Sequence, residues 1–331
     1  MTREIVVNGR FLSRPITGVE RYGREILPLF RGRPRVEMTR LNGLAGHVWE
    51  QTRLPAKLKS NSVIWSPANA GPLFVRNQAV TIHDLSPLEH PEWFARGFAA
   101  WYRLFLPLLA RRARVLFAPS VHVQRKLMAR FGVKQVLVTP NGVDAGRFHP
   151  GATQETYAFP QKYILFVGSL QPRKNLVGLL AAWQTLKTEF KDLWLMVAGG
   201  TSDVFRGVRF LADERIRFLN YVAETDLPGL YAQAEALVLP SFDEGFGLPA
   251  LEAMACGTPV IVSNGGALPE TVGDAALIFD LAKPHDLTNQ LQLCLSEAAL
   301  RRSLREKGLA RAGQFTWQAS ADLIWDTLHA L

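Results

Sequence analysis

Glu244 and Glu252 close the two ends of the stretch EGFGLPALE, with seven residues between them. Two carboxylates at that spacing suit three chemistries: acid–base catalysis, cation binding, and acceptance of hydrogen bonds from paired sugar hydroxyls. Pro249 and the good helix formers after it predict a helix starting near Leu248. Glu252 then falls in its first two turns and Glu244 in the loop before it. Gly245 and Gly247 let a backbone come close to a ligand and offer N–H donors. The plainer alternatives are a first-turn carboxylate favoured by the helix dipole for Glu252, and a solvated loop residue for Glu244.

A second group follows the apolar run YILFVG. Ser169 to Asn175 read SLQPRKN, which sets Arg173 and Lys174 in a strand-to-helix turn. Two cations at a helix N-terminus suit a diphosphate, because backbone N–H groups and the helix dipole also favour negative charge there. An exposed basic loop is the alternative. His83 and Asp84 end the run AVTIHD; they form either a catalytic base pair or a turn around a satisfied histidine. Cys256 and Cys294 are the only cysteines, outside any CxxC or Cys/His cluster. They support neither a metal site of that kind nor a disulfide framework. Asp84, Asp243 and Asp274 stand apart and form no DxD pair, so no metal is expected.

The elements that must position these residues alternate. In the first half EIVVNG, SVIWSP, AVTIHD, RVLFAPS and QVLVTP read as strands, with helices from about Val19 and over VHVQRKLMARFG, closed by Gly132. In the second half YILFVG, LWLMVAGG, IRFLN, ALVLPS, PVIVS and ALIFD are six short apolar runs, with helices beginning near Asn175, Thr225 and Leu248. Near-continuous apolar strands alternating with helices predict parallel sheets buried on both faces. Ligands then belong at the carboxyl ends of the strands. Residues 147–162, polar and rich in Gly and Pro, are the expected linker. The domains predicted are 1–150, 151–312, and a C-terminal helix over 313–331 that packs back on the first.

The 331 residues are 48% hydrophobic, enough for two cores. No apolar run reaches the ~18 residues of a membrane span, and MTREIVVNGR reads as a first strand rather than a secretory signal. A cytoplasmic protein is expected. The net charge of +9 divides into +14 over residues 1–150 and −5 over 151–331. Residues 91–114 combine Trp93, Phe94, Phe98, Trp101, Tyr102 and Phe105 with Arg103, Arg111, Arg112 and Arg114. That pattern suits either a peripheral contact with an anionic membrane or a core helix with a basic end. A nucleic-acid or anion-binding module would explain the basic half too, but no RNA- or DNA-binding motif is evident.

The segment SFDEGFGLPALEAMACGTPVIVSNGGALPETVGDAALIFD closely resembles the signature of the retaining glycosyltransferases of family 4. YILFVGSLQPRKNL is similar to their donor-phosphate loop, PNGVD to the end of their first domain, and TGVERY to the glycine loop of their acceptor domain. TIHDLSPLEHPEWF resembles a segment of the bacterial mannosyltransferase-like branch. The resemblance covers most of the chain. It implies the GT-B architecture: two facing, Rossmann-like, doubly wound parallel-sheet domains with a cleft between them, which closes to exclude water.

It also implies roles. Arg173 and Lys174 would stabilise the donor diphosphate, Glu252 would bind ribose hydroxyls, and Glu244 would contact the transferred sugar. The N–H groups of Phe246 and Gly247, next to Leu248, would face sugar and phosphate. His83 would lie near the distal hydroxyls and Gly18 would approach the phosphates. Asn220, Tyr221 and Val222 would line the base pocket. Many members carry an arginine directly after the glycine of VG; here Ser169 stands there, and Arg173 would supply the missing cation. The reaction implied is metal-independent transfer of a hexose, mannose from GDP-mannose, with retention. The acceptor would be a saccharide or a polyprenyl-diphosphate-linked saccharide of a bacterial surface polysaccharide. UDP- or dTDP-sugars are alternative donors, and a GT-B epimerase or phosphorylase the alternative enzymes.

Overall fold

The structure, a computed structural model, describes residues 3–154, 160–200 and 213–331. The chain divides into two compact units, Met1–Gly142 with Thr316–Leu331, and Val143–Phe315.

The first unit holds β1 (Glu4–Asn8), β2 (Arg35–Glu37), β3 (Ser62–Ser66), β4 (Gln78–Thr81), β5 (Val115–Ala118) and β6 (Val136–Val138). They form one sheet in the order β2-β1-β3-β4-β5-β6, with every pair parallel. The strands are apolar because helices cover both faces: Val6, Ile64, Val80 and Phe117 are fully buried. β2 escapes the pattern reading, since the three residues Arg-Val-Glu carry no apolar run. Thr17 caps the Gly18–Ile26 helix in a capping box with Glu20. Ser120 starts the Val121–Phe131 helix, and Gly132 ends it in the left-handed region.

The Arg96–Arg112 helix turns part of its aromatic set inward. Tyr102 and Phe105 are buried, and Trp101 stacks on Phe105 at 5.0 Å. Tyr102 and Phe105 thus join the core with Trp101 packed partly against it, while Phe98 is 43% exposed. Exposed on it are Phe98, Arg103, Leu104, Leu108, Arg111 and Arg112, among others. No helix among the described residues is long and apolar enough to cross a membrane.

The Trp317–Ala330 helix belongs to this unit. Trp317, Ile324 and Leu328 are buried, and Ser320 Oγ donates to the Pro140 carbonyl at 2.6 Å. The backbone runs so close that a Cβ on Gly142 would lie 2.1 Å from the Trp317 nitrogen.

The second unit holds β7 (Lys162–Val167), β8 (Leu193–Ala198), β9 (Ile216–Asn220), β10 (Ala236–Leu239), β11 (Val260–Ser263) and β12 (Leu277–Phe279). Their order is β12-β11-β10-β7-β8-β9, again all parallel. The chain starts in the middle, winds out through β8 and β9, then returns to the other side of β7. The direction of winding reverses between β7 and β10, the place where such sheets open a crevice. Trp183, Phe166, Leu179, Ile261 and Cys294 fill the core. Two helices, Asp286–Ser296 and Ala298–Ala312, stand where the pattern reading named none.

The expected linker is only partly described, since residues 155–159 lie outside the described residues. What is described corrects the expectation. Phe148 is buried, and Arg147 Nη2 donates to the Glu224 carbonyl at 2.8 Å, so the segment's start packs into the second unit.

Candidate functional site

Two loops flank the winding reversal of the second sheet. One follows β7 and carries a 3-10 turn, Pro172–Lys174; the other follows β10 and carries Ser241 to Gly247. Polar contacts stitch them together. The Phe242 N–H donates to the Arg173 carbonyl at 2.8 Å, and Asn175 Nδ2 donates to the Pro240 carbonyl at 3.0 Å. Asn175 also caps the Leu176–Glu189 helix by accepting from the Gly178 N–H at 3.2 Å.

That stitching delivers Arg173 and Lys174 to Glu244. Lys174 Nζ stands 2.5 Å from Glu244 Oε1, and Arg173 Nη1 stands 3.2 Å from Oε2 and 2.8 Å from the Asp243 carbonyl. Ser241 Oγ donates to Oε1 at 2.7 Å. Glu244 is 5% exposed and Lys174 8%, so the solvated-loop alternative for Glu244 is excluded. Burial pushes this carboxyl up, but the charges of Lys174 and Arg173 and the hydrogen bonds from Lys174 and Ser241 outweigh it. The net shift is downward, and Glu244 is a carboxylate at neutral pH.

A third loop, after β11, holds the Glu244 backbone. The Ala267 N–H donates to the Glu244 carbonyl at 2.8 Å. Gly266 adopts φ +63°, and a Cβ there would lie 2.3 Å from the Glu244 nitrogen. Only glycine fits both demands.

Gly247, at φ +98°, leads into the Leu248–Ala255 helix. Among the described residues, the N–H groups of Phe246 and Gly247 carry no hydrogen bond, while the Phe246 ring is buried edge-on to Phe315 at 5.7 Å. Leu248 is buried at the helix start. Glu252 follows one turn later and is 2% exposed, accepting from Tyr231 Oη at 2.9 Å. Ser169 and Tyr221 are exposed, and Val222 is buried. Asn220 ends β9 at φ +55°, its carbonyl accepting from the Gly199 N–H at 2.7 Å.

His83 and Gly18 belong to the first unit. His83 follows β4 and is 7% exposed. Its Nε2 lies 2.7 Å from the Pro67 carbonyl, which can only accept, so Nε2 carries the proton and Nδ1 is left as an acceptor. Burial lowers the pKa of the ring and keeps it neutral. Tyr22 packs edge-on against it at 4.9 Å. Asp84 Oδ1 instead accepts from the Ser86 N–H at 3.0 Å. The adjacent His-Asp pair is thus a buried histidine beside a turn-forming aspartate, and the dyad reading is corrected. Gly18 opens its helix at the surface, where an added Cβ would meet nothing within 4 Å.

Ser241, Asn175, Tyr231 and Gly266 were not singled out from the sequence. Neither was a buried network at the winding reversal of the first sheet, between β1 and β3. There Arg10 pairs with Glu50, while Asn8 Nδ2 donates to Glu50 Oε1 at 2.9 Å and to Ser66 Oγ at 3.3 Å. The polar residues ending VVNGR were the one available signal, and their partners lie tens of residues away.

Two doubly wound parallel sheets, one with a cation–carboxylate cluster at its reversal, define a GT-B-type protein. Residues 43–147 match the family model Glycosyltransferase Family 4, and residues 154–311 match Glycosyl transferases group 1. The chain belongs to this family of glycosyltransferases. The O-antigen chain mannosyltransferase B of Escherichia coli is 33% identical over 252 residues, covering 72% of this chain and 66% of that protein. A D-inositol 3-phosphate glycosyltransferase of Corynebacterium jeikeium is 34% identical over 57% of this chain and 50% of its own length. This chain therefore spans between half and about two thirds of these two relatives. Among solved structures, sucrose-phosphate synthase from Thermosynechococcus elongatus superposes with a TM-score of 0.77 at 19% identity, covering 99% of each chain. Anabaena HepE in complex with UDP and glucose superposes with a TM-score of 0.78 at 18% identity, covering 100% of each.

Proposed function

We propose that this chain is a retaining, metal-independent hexosyltransferase. It takes mannose from GDP-mannose and places it on a hydroxyl of a saccharide or polyprenyl-diphosphate-linked saccharide, in the synthesis of a surface polysaccharide. The observation that carries the reading is the cluster of Arg173, Lys174 and Glu244 at the winding reversal of the second sheet.

The difficult step of such a transfer is departure of the diphosphate. The bond from the anomeric carbon to the phosphate oxygen breaks, and the electron pair leaves with that oxygen. Arg173 and Lys174, with the N–H groups of Phe246 and Gly247, would stabilise the charge that develops. They supply the positive charge that a divalent cation supplies in other transferases. The acceptor oxygen bonds to the same face of the anomeric carbon and passes its proton to the leaving phosphate. Glu244 would hold sugar hydroxyls rather than act as nucleophile, because same-face transfer with the leaving phosphate as base needs no covalent intermediate on the enzyme. Glu252 would accept from ribose hydroxyls and His83 would face the sugar's distal hydroxyls.

The mannose assignment draws on the relatives, several of which are named as mannosyltransferases of O-antigen synthesis. A UDP-sugar is the second reading, because HepE is described with UDP-glucose. A panel of GDP, UDP, dTDP and ADP, each with and without EDTA, separates them by thermal shift. A ligand at 100 times its dissociation constant stabilises by ~2.7 kcal/mol. The expected result is a shift with GDP that EDTA leaves unchanged. A UDP-selective shift would replace the donor but keep the site. No shift with any nucleotide or with the intact nucleotide-sugars would overturn the reading.

A further inference from the structure

Glu252 lies on the Leu248–Ala255 helix, and its side chain turns about three bonds. A carboxylate that accepts from two neighbouring hydroxyls must already point the right way. Ordering it at the moment of binding would cost affinity. A second residue orders it beforehand.

Tyr231 Oη donates to Glu252 Oε2 at 2.9 Å, across 21 residues of chain. The tyrosine sits on a different helix, Leu227–Ala232. Both side chains are buried, the tyrosine fully and the glutamate to 2% exposure. The tyrosine is itself held from several sides. Thr258 Oγ1 donates to the Tyr231 carbonyl at 2.5 Å, and Tyr163 Oη donates to the Leu230 carbonyl at 2.8 Å. The Phe148 ring packs on the tyrosine ring, with 6.1 Å between centroids. Gly229 lies so near the backbone of Thr153 that a Cβ there would stand 2.5 Å from its carbonyl carbon. These contacts hold the short helix, and a tyrosine has few bonds left to turn about.

Packing alone does not call for a hydroxyl at this position. A phenylalanine would fill nearly the same volume, and a buried hydroxyl is unfavourable unless it is bonded. Here the hydroxyl is directed at Glu252. It differs in kind from Lys174 and Arg173, the cations that hold Glu244. A phenol donates a single hydrogen bond and does not neutralise a carboxylate. The neighbouring Cys256 thiol, pushed up to about 12 by burial and then by the Glu252 charge, stays neutral as well. A neutral donor that fixes a charged acceptor suits a carboxylate that must go on to meet further hydroxyls.

We propose that Tyr231 is a positioning residue for the donor. Its hydroxyl sets the Glu252 carboxylate in the orientation that accepts from ribose hydroxyls, and so makes the site select a ribonucleotide. The inference rests on the ribose role of Glu252 in the proposed function and adds the group that acts behind it.

The test is isothermal titration of the full chain with GDP and with UDP, each beside its dideoxy form, which lacks both ribose hydroxyls. The wild type should bind its ribonucleotide about 10- to 100-fold more tightly than the dideoxy form, as hydrogen bonds to a charged group imply. Tyr231→Phe removes one oxygen and keeps the ring. It should bind the ribonucleotide about 10-fold more weakly and the dideoxy form as the wild type does. The thermal midpoint of each variant is the folding control. Where Glu252→Ala has already removed the carboxylate, Tyr231→Phe should weaken ribonucleotide binding no further. A Tyr231→Phe variant that keeps the full preference for ribose overturns the role of Tyr231 and leaves that of Glu252 standing. Equal weakening of both forms does the same, because it marks Tyr231 as structural only. A wild type that does not distinguish the two forms, or binds neither nucleotide, overturns the ribose reading of Glu252 and this inference with it.

Discussion

Glu244 uses both carboxylate oxygens on cations and so ties together two loops that are 70 residues apart in the chain. A buried carboxylate facing a lysine and an arginine is costly to neutralise, because its removal leaves buried positive charge unpaired. Glu244→Gln keeps the shape and removes the charge. The folded carboxyl titrates below its unfolded value, so its contribution is complete above ~4.3 and is lost as pH falls through the folded value. Urea unfolding at pH 7 should therefore show the variant less stable by about 3 kcal/mol. The gap should narrow as the pH drops below the unfolded value. Parallel pH profiles for the two proteins would mean that the ion pairs contribute little to folding.

The loops after β7, β10 and β11 form one unit of structure although each is irregular. Gly266 packs directly on the Glu244 backbone, so a side chain there would be unfavourable twice: in backbone conformation and in contact with Glu244. Gly266→Ala should cost about 2 kcal/mol or more, from a left-handed conformation worth ~1–2 kcal/mol and a backbone that must move. Gly18→Ala, at an exposed helix start with open space around it, should change stability by about 0.5 kcal/mol or less. Denaturant midpoints of the two variants make the comparison. A harmless Gly266→Ala would show that the Glu244 loop relaxes freely.

At the scale of the whole molecule, the chain enters its second unit and then returns to the first for its last helix. Trp317, Ile324 and Leu328 complete the first unit's core, with Trp317 edge-on to Tyr22 at 6.0 Å. Three large side chains at roughly 2 kcal/mol each amount to about 6 kcal/mol, comparable with the stability of a typical domain. Removing residues 316–331 should abolish hydrogen-exchange protection in β1, β3 and β4 while leaving β7, β8 and β10 protected. Loss of protection in both units together would show that they fold as one.

Most of the strands could be read from the chain alone, because a strand buried on both faces has to be a short apolar run, and each such run became a strand. β2 could not, because three residues with two charges pair only where β1 already offers an edge. The glutamate spacing, the basic turn before the Leu176–Glu189 helix and the family resemblance were likewise legible. The sequence could not say that Arg173 and Lys174 would meet Glu244, or that the Asp84 carboxylate would accept from the Ser86 N–H. Nor could it say that Tyr102 and Phe105 would be buried while Phe98 on the same helix stays exposed. Periodicity is local and determines which residues make a strand or helix. The winding order that sets β7 beside β10 is a property of the packed sheet, and only that packing decides which charges find partners.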